Sequence, residues 1–201
     1  MIYLSVWTGT RLLWRFYGPP GSSRDSGLLA FSANASTMPA SALLDMPVEY
    51  VFDHVIWKPP GIGTGTRWHQ DCVYAYEEPY LNKQRVHFWI PMADVPIMGG
   101  AMRYVPGSQS GPIYEHQLVS GGGKAHYLMA TGFDDSTAVD VPIPAGGAIL
   151  HHPYTLHASG VNILPHMRTA WILHFARPRT FSENVRFKWL RLQERMEKRF
   201  K

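Results

Sequence analysis

The residues whose types and spacing most clearly suggest chemistry lie in one short stretch, TRWHQD, at residues 66–71. Side chains at positions i and i+2 of a β-strand share a face, so His69 and Asp71 should converge if this stretch is a strand. An imidazole beside a carboxylate supplies two of the three ligands of the 2-His-1-carboxylate site, which leaves open positions on non-heme Fe(II). This hypothesis requires a second histidine.

The missing histidine has three candidates in GGAILHHPYTLHASG, namely His151, His152 and His157. Adjacent residues on a strand face opposite ways, so at most one of His151 and His152 points inward. We favour His157, because Ser159 and then Arg168 follow it. If a hairpin connected the two segments, the planar guanidinium of Arg168 would lie beside the metal and could bind a carboxylate in a bidentate pair. An enzyme that uses 2-oxoglutarate needs such a group, because this keto acid chelates iron at one end and carries a carboxylate at the other.

A series of short strand-like runs separated by Gly and Pro turns must position these residues. The runs are VEYVFDHVIW, RWHQDCVYAY, RVHFWIPMADV, AMRYVPGS, VDVPIP, GAILHHPY and RTAWILHFARP. They predict a mainly β protein whose core, residues 48–180, is a double-stranded β-helix, the jelly roll of the cupin kind. A strand throughout RWHQDCVYAY would place Cys72 on the face opposite Asp71, as a structural thiol. Residues 111–137, which contain SGGGK, are weakly patterned, and we expect a lid there.

Both ends of the chain are predicted to lie outside the jelly roll, within a single domain of residues 1–201. Residues 1–47 are interrupted by GPPGSSRDSG and predict an irregular lead with one short helix near residues 39–45. Residues 181–201 predict an amphipathic helix, with apolar side chains at helical spacing: Val185, Trp189, Leu192, Met196 and Phe200. We expect this helix to pack on the body with its basic face in solvent, or to contact a second subunit.

Composition and charge narrow the class of protein. The chain has 201 residues, 45% hydrophobic and 17% charged, as is typical of an ordinary globular domain. The net charge of +4 comes from residues 183–201, which contain seven Lys or Arg and three Glu. A charged helix surface in solvent explains this excess better than nucleic-acid binding. The only cysteine, Cys72, excludes an internal disulfide and favours a reducing compartment. We expect a soluble, cytoplasmic monomer or homodimer with a small-molecule substrate and no nucleic-acid or membrane partner.

From about residue 48 to residue 178 the chain resembles the phytanoyl-CoA dioxygenase family of Fe(II)- and 2-oxoglutarate-dependent oxygenases. The similarity rests on motifs that follow one another in the family's order: DHVIWKPPG, WHQD, HFWIPMADV, GGAMRYVPGSQ and PAGGAILHHPYTLHASGVN, with an arginine beyond. Several motifs in the right order are far more specific than a lone H-x-D. Two positions depart from the family's usual residues, because His54 stands where relatives often have glutamine and Gln109 where they often have histidine.

The resemblance implies roles for seven residues of this chain. His69, Asp71 and His157 would be iron ligands, Arg168 and Ser159 would hold the far carboxylate of 2-oxoglutarate, and Lys58 and Trp89 would line the co-substrate pocket. Five other residues are candidate substrate contacts: His54, His87, Tyr104, Tyr114 and His116. The remaining histidines without a partner motif, His126, His166 and His174, are expected to be surface or satisfied core histidines.

The implied function is hydroxylation of a C–H bond of a small organic molecule by Fe(II) and O2, with decarboxylation of 2-oxoglutarate to succinate and CO2. The carboxylate of Asp71 disfavours halogenation, because related halogenases have a small residue there to admit chloride. Desaturation, cyclisation or epimerisation with the same cofactors stays open. A non-oxidative cupin-like metal hydrolase or binding module is the alternative from another class, although it has no use for a keto-acid clamp at Arg168. A nucleic-acid demethylase would carry a second arginine where this chain has His174.

Overall fold

The computed structural model describes residues 40–61, 65–74, 83–119 and 128–199. Residues 1–39 of the predicted lead, the SGGGK segment, His126 and Phe200 lie outside these ranges.

The strands form two four-stranded sheets and a separate hairpin. In chain order they are β1 (Glu49–Lys58), β2 (Thr66–His69), β3 (Arg85–Pro91), β4 (Met102–Tyr104), β5 (Glu115–Leu118), β6 (Leu128–Thr131), β7 (Val139–Val141), β8 (Ile149–His151), β9 (His157–Ser159) and β10 (Arg168–Ala176). The first sheet has the order β1-β10-β3-β8, the second has β2-β9-β4-β7, and β5 pairs with β6. All of these pairings are antiparallel. The arrangement confirms the predicted mainly β, double-stranded β-helix fold.

The two faces of the first sheet have different roles. On its outer face, alternate residues of β3 and β10 form an apolar cluster that includes Phe88, Leu173 and Phe175, and Ala40, Leu43 and Leu44 pack against it. Residues 40–44 are helical, which confirms the predicted short helix and shows that it covers this face. The inner face faces the second sheet, and its residues line a cavity.

Two stretches differ from the predicted strands. The chain leaves β2 after His69, and Asp71–Tyr74 forms a 3-10 helix instead of continuing the strand. The amide of Cys72 donates to the Pro153 carbonyl at 3.1 Å, so a contact distant in sequence fixes this turn. Cys72 is buried, and burial raises the pKa of its thiol to about 12, in line with the predicted structural role. The proposed lid region contains the β5–β6 hairpin, which no strand-like pattern indicated.

The C-terminal helix, α1 (Phe181–Arg199), begins at a capping box. The Glu183 amide donates to the Thr180 hydroxyl at 3.4 Å, and the Thr180 amide donates to the Glu183 carboxylate at 2.7 Å. The apolar stripe of the helix, Val185, Trp189, Leu192 and Met196, is more than half exposed at each position. The expectation that the stripe packs on the body is therefore wrong. In the described part of the chain, no helix has the length and apolarity to cross a membrane.

Candidate metal and co-substrate site

The predicted triad comes together at one end of the cavity. His69 ends β2 and is paired directly with His157, which begins β9, so the two imidazoles are neighbours in the second sheet. Asp71 starts the 3-10 helix, and its Oδ1 lies 3.4 Å from His69 Nε2 and 3.7 Å from His157 Nε2. One ligand atom from each residue lies within 4.8 Å of the others. Ligands about 2.1 Å from a metal and at right angles to one another are about 3 Å apart, so the spacing suits a single ion.

Backbone carbonyls orient both imidazoles for metal binding. His69 Nδ1 lies 2.8 Å from the Arg67 carbonyl, and His157 Nδ1 lies 2.8 Å from the Thr155 carbonyl. A carbonyl oxygen can only accept, so each Nδ1 carries a hydrogen, and Nε2 is the ring nitrogen that each histidine presents toward Asp71. Burial holds the pKa of His157 well below its ordinary value, so its imidazole is neutral. A histidine that binds a metal through one ring nitrogen usually donates a hydrogen bond from the other, and this bond fixes the orientation of the ring.

The other carboxylate oxygen of Asp71 faces a second pair of histidines. His87 Nδ1 lies 2.7 Å and His151 Nε2 lies 3.2 Å from Oδ2. Burial alone would raise the pKa of Asp71, but the surrounding imidazoles outweigh it and hold the pKa well below its ordinary value. An ionised carboxylate only accepts, so both of these nitrogens are donors. The remaining nitrogen of His151 then accepts a hydrogen bond from the Tyr104 hydroxyl at 3.2 Å.

Asp71, His87 and His151 are also close enough to hold a metal ion. A cation there would have to share the single carboxylate of Asp71 with an ion at the first triad. Two divalent ions beside one negative charge would repel each other strongly in a buried site. We therefore interpret His87 and His151 as hydrogen-bond donors that fix Asp71 and leave Oδ1 for the metal.

Two buried cations lie side by side farther along the first sheet. Lys58, at the end of β1, is paired with Arg168, at the start of β10. Lys58 Nζ donates to the carbonyls of Gly160 at 2.6 Å and Ser159 at 3.3 Å, and Arg168 Nη2 donates to the Gly100 carbonyl at 3.2 Å. Arg168 Nε is buried without a hydrogen-bond partner in the described chain. Burial lowers the pKa of Arg168 to about 10 and, together with the charge of Arg168, that of Lys58 to about 7.

These cations fit an anionic co-substrate. Neither forms an ion pair within the described residues, and a buried charge is stable only when it is paired. The guanidinium of Arg168 also lies 5.2 Å from the ring centroid of Trp89, which places the predicted Trp89 beside it. The predicted hairpin between the His157 and Arg168 segments is wrong, since β9 and β10 belong to different sheets. Arg168 reaches the site from the sheet opposite His157.

Asn162 and Gly100 fix the loops around Lys58 and Arg168. The Asn162 side chain is fully buried and donates to the carbonyls of Lys58 at 3.1 Å and His166 at 2.8 Å. Gly100 has a φ of +75°, and a Cβ there would lie 2.6 Å from the Gly160 carbonyl oxygen. Only glycine therefore allows the backbone approach that presents the Gly100 carbonyl to Arg168.

Gln70, between the two ligands of TRWHQD, is a structural residue that the sequence argument missed. Its side chain is fully buried and donates to the carbonyls of Tyr154 at 2.8 Å and Pro112 at 3.1 Å. Its Oε1 accepts from the Tyr114 amide at 2.8 Å, and its own amide donates to His116 Nε2 at 3.1 Å. Tyr114 and His116, predicted as substrate contacts, thus support the ligand-bearing segment from outside the cavity lining.

The cavity measures about 370 Å³ and opens between the sheets. Eight predicted residues line it: His69, Asp71, His157, Arg168, Ser159, Trp89, His54 and His87. Lys58 lies behind this lining, and Tyr104 is a buried core residue beneath it. Phe52, Arg85 and His174 also line the cavity, although none was among the predicted site residues. His151, which was a candidate metal ligand, lines it as well. His174, expected to be a satisfied or surface histidine, is instead buried, and neither of its ring nitrogens has a hydrogen-bond partner among the described residues.

A double-stranded β-helix that gathers two histidines and an aspartate at one end of its cavity defines the class of mononuclear non-heme iron oxygenases. The family model described as phytanoyl-CoA dioxygenase (PhyH) matches residues 31–170. The chain belongs to this family.

Curated relatives agree with this assignment. A probable alpha-ketoglutarate-dependent hypophosphite dioxygenase of Stutzerimonas stutzeri is 34% identical over 110 residues, covering 53% of this chain and 37% of that protein. The phytanoyl-CoA dioxygenase domain-containing protein 1 of Rattus norvegicus is 27% identical over 150 residues, covering 73% of this chain and 50% of the relative. The chain thus spans half or less of the length of these two relatives.

A similar solved structure is EvdO2 from Micromonospora carbonacea var. aurantiaca complexed with 2-oxoglutarate. It is 30% identical, with a TM-score of 0.63, and the match covers 72% of this chain and 59% of EvdO2.

Proposed function

We propose that the chain is an Fe(II)- and 2-oxoglutarate-dependent oxygenase that hydroxylates a C–H bond of a small organic molecule with O2. The observation that carries this proposal is a three-ligand metal site that shares its cavity with the buried Arg168, with Lys58 behind it. Neither cation has an anionic partner among the described residues. Co-substrate oxidation would yield succinate and CO2. The small-molecule character of the substrate follows from the modest volume of the cavity.

In this proposal His69, Asp71 and His157 hold the iron. These two imidazoles and one carboxylate would hold the metal, and iron bound there would supply the oxidative chemistry. His87 and His151 keep Asp71 ionised and oriented through the hydrogen bonds to Oδ2. The carboxylate at position 71 also favours hydroxylation over halogenation.

The co-substrate lies, in this proposal, between the triad and the buried cations. Arg168 binds the far carboxylate of 2-oxoglutarate through its donors, Ser159 adds a hydroxyl, and Lys58 contributes positive charge behind them. Trp89 packs under the guanidinium and holds its plane. The names of EvdO2 complexed with 2-oxoglutarate and of the alpha-ketoglutarate-dependent relative support this assignment. A cupin-like hydrolase would leave the two cations without a function.

The test is calorimetric titration of 2-oxoglutarate into metal-loaded protein without oxygen. We expect binding to require the metal and Arg168→Leu to raise Kd by about 10- to 100-fold, as loss of charge-assisted hydrogen bonds implies. Arg103→Leu is the matched control, because this arginine of β4 is partly exposed and pairs with Asp140 at 2.9 Å. It should leave Kd within about twofold.

A second measurement follows the reaction itself. With Fe(II) and O2, the protein should release succinate from 2-oxoglutarate, slowly without substrate and faster with it. If no succinate formed with any substrate, and if Arg168→Leu bound 2-oxoglutarate as well as the unaltered protein, the oxygenase proposal would be wrong.

A further inference from the structure

The cavity wall formed by the first sheet carries an unusual group of aromatic rings. Phe52 of β1 is paired with His174 of β10, and His174 with His87 of β3. The His174 ring centroid lies 3.9 Å from those of Phe52 and His87, and 5.3 Å from that of His54. We call His54, His87 and His174 the imidazole wall. All three line the cavity that also contains the metal triad.

Four nitrogens of the imidazole wall have no hydrogen-bond partner within the described chain. They are both ring nitrogens of His174, Nδ1 of His54 and Nε2 of His87. His174 is only 5% exposed, so its ring has little contact with bulk solvent. Buried polar atoms are satisfied in most native proteins, and an unsatisfied group calls for an explanation. A ligand that bonds to these nitrogens supplies one.

The imidazole nitrogens define what such a ligand must offer. Burial lowers the pKa of both His54 and His174, so these rings are neutral. A neutral imidazole has one donor and one acceptor nitrogen. His87 gives its Nδ1 hydrogen to Asp71, so its Nε2 can only accept. The ligand must therefore both donate and accept at this wall. A hydroxyl group does both, whereas an ionised carboxylate or phosphate only accepts.

We propose that the imidazole wall binds neighbouring hydroxyl groups of an uncharged substrate and holds its reacting carbon toward the triad. This inference rests on the proposed oxygenase function and names the substrate class of the same site. Phe52 gives the wall an apolar ring at the cavity mouth, where it is 44% exposed, so the substrate would combine hydroxyl groups with a carbon face. A hydroxylated ring compound has this character.

An anionic substrate is the competing possibility, because Arg85 also lines the cavity. Arg85 already takes part in an interaction of its own within the chain. An anionic group bound beside Arg85 has only acceptor oxygens. It could not donate a hydrogen bond to the acceptor nitrogen of His87. The observations therefore favour the uncharged, hydroxylated ligand, and the anion becomes an outcome of the test.

The experiment uses protein loaded with Co(II) and 2-oxoglutarate without oxygen, and three ring probes of similar size. The probes are cis-cyclohexane-1,2-diol, cyclohexanol and cyclohexanecarboxylate, with affinity measured by calorimetry and proximity to Co(II) by paramagnetic broadening of the probe's NMR lines. We expect the diol to bind about fivefold tighter than cyclohexanol, as one further hydrogen bond implies. The carboxylate should bind no tighter than cyclohexanol.

Variants of His174 assign the preference to the wall. His174→Phe keeps a ring stacked on Phe52 but removes both nitrogens, and should abolish the preference for the diol. His174→Asn keeps a donor and an acceptor, and should retain part of it. His166→Gln is the control, because His166 is exposed in the loop before β10. Unchanged binding of Co(II) and 2-oxoglutarate shows that each variant is folded with an intact metal site.

Three results would overturn the inference: tightest binding of the carboxylate, a diol preference that survives in His174→Phe, or no binding of any probe. Each of these, with 2-oxoglutarate still bound by the unaltered protein, leaves the proposed oxygenase function in place. Failure of the unaltered protein to bind 2-oxoglutarate with metal would instead contradict the proposed function itself.

Discussion

Lys58 should make the affinity for 2-oxoglutarate depend on pH. Its side chain is buried opposite Arg168, and burial, followed by the charge of Arg168, lowers its pKa from 10.5 to about 7. A dianion bound beside Lys58 favours the protonated amine and raises this pKa. Below pH 7 the amine is already charged, so affinity should be constant. Above pH 7 binding must take up a proton, and affinity should fall as pH rises.

The size of the effect follows from the linkage between proton and ligand. If the bound dianion raises the pKa by about two units, the protonated amine gains about 2.7 kcal/mol of interaction. The apparent Kd at pH 8 should then be about tenfold higher than at pH 6, because only about a tenth of the unbound protein carries the charge at pH 8. Above the raised pKa of the complex, the Kd should level off.

Calorimetry on Mn(II)-saturated protein, from pH 6 to pH 8.5, measures this dependence. Comparing two buffers with different ionisation enthalpies gives the number of protons taken up, which should approach about one at pH 8. Lys58→Met should weaken binding at pH 6 and remove the pH dependence. Lys83→Met is the control, because Lys83 is exposed in the turn before β3 and should behave as the unaltered protein does.

Two results would refute this reasoning about Lys58. A Kd of the unaltered protein that does not change between pH 6 and pH 8 would show that Lys58 does not respond to the co-substrate. An equal pH dependence in Lys58→Met would assign the titration to another group, such as water on the metal.

Two further substitutions test the supports of the site. His151→Phe removes a donor to Asp71, and we expect affinity for Fe(II) or Mn(II) to fall by about tenfold in equilibrium dialysis; an unchanged affinity would contradict the support role. Gly100→Ala forces a Cβ to 2.6 Å from the Gly160 carbonyl at positive φ, and should reduce the free energy of unfolding in urea by about 3 kcal/mol. Gly107 also has positive φ but has nothing within 4 Å, so Gly107→Ala should cost about 1 kcal/mol. Equal losses at the two glycines would show that the close approach is not the cause.

The metal triad could be predicted because its signals are local in sequence. His69 and Asp71 are two residues apart, and His157 carries Ser159 and Arg168 behind it at a recognisable spacing. His69 and Asp71 converge as predicted, but alternation along a single strand is not the cause. Asp71 reaches the metal site from a 3-10 helix, and the hydrogen bond from Cys72 to Pro153 that fixes this turn is not visible in the local pattern.

The contacts that could not be predicted depend on pairing between distant strands. His174 lies in a strand that the sequence identified, but its partners Phe52 and His87 are set by the register of β1, β10 and β3. Gln70 was missed for a similar reason, because its partners, such as Pro112 and Tyr154, come from distant loops. The C-terminal helix is a similar case. The spacing of its apolar residues predicts an apolar stripe, but it does not predict whether another surface covers that stripe.

The two sheets divide the site in a way that bears on how such a protein can diversify. His69 and His157 belong to the second sheet, whereas the imidazole wall and Arg168 belong to the first. Inward residues of the first sheet recur at every second position of β1 and β10, so a substitution at Phe52, His54 or His174 reshapes the wall without moving a ligand. One scaffold can therefore acquire a new substrate preference by single changes along two strands, while its oxidative machinery is inherited intact.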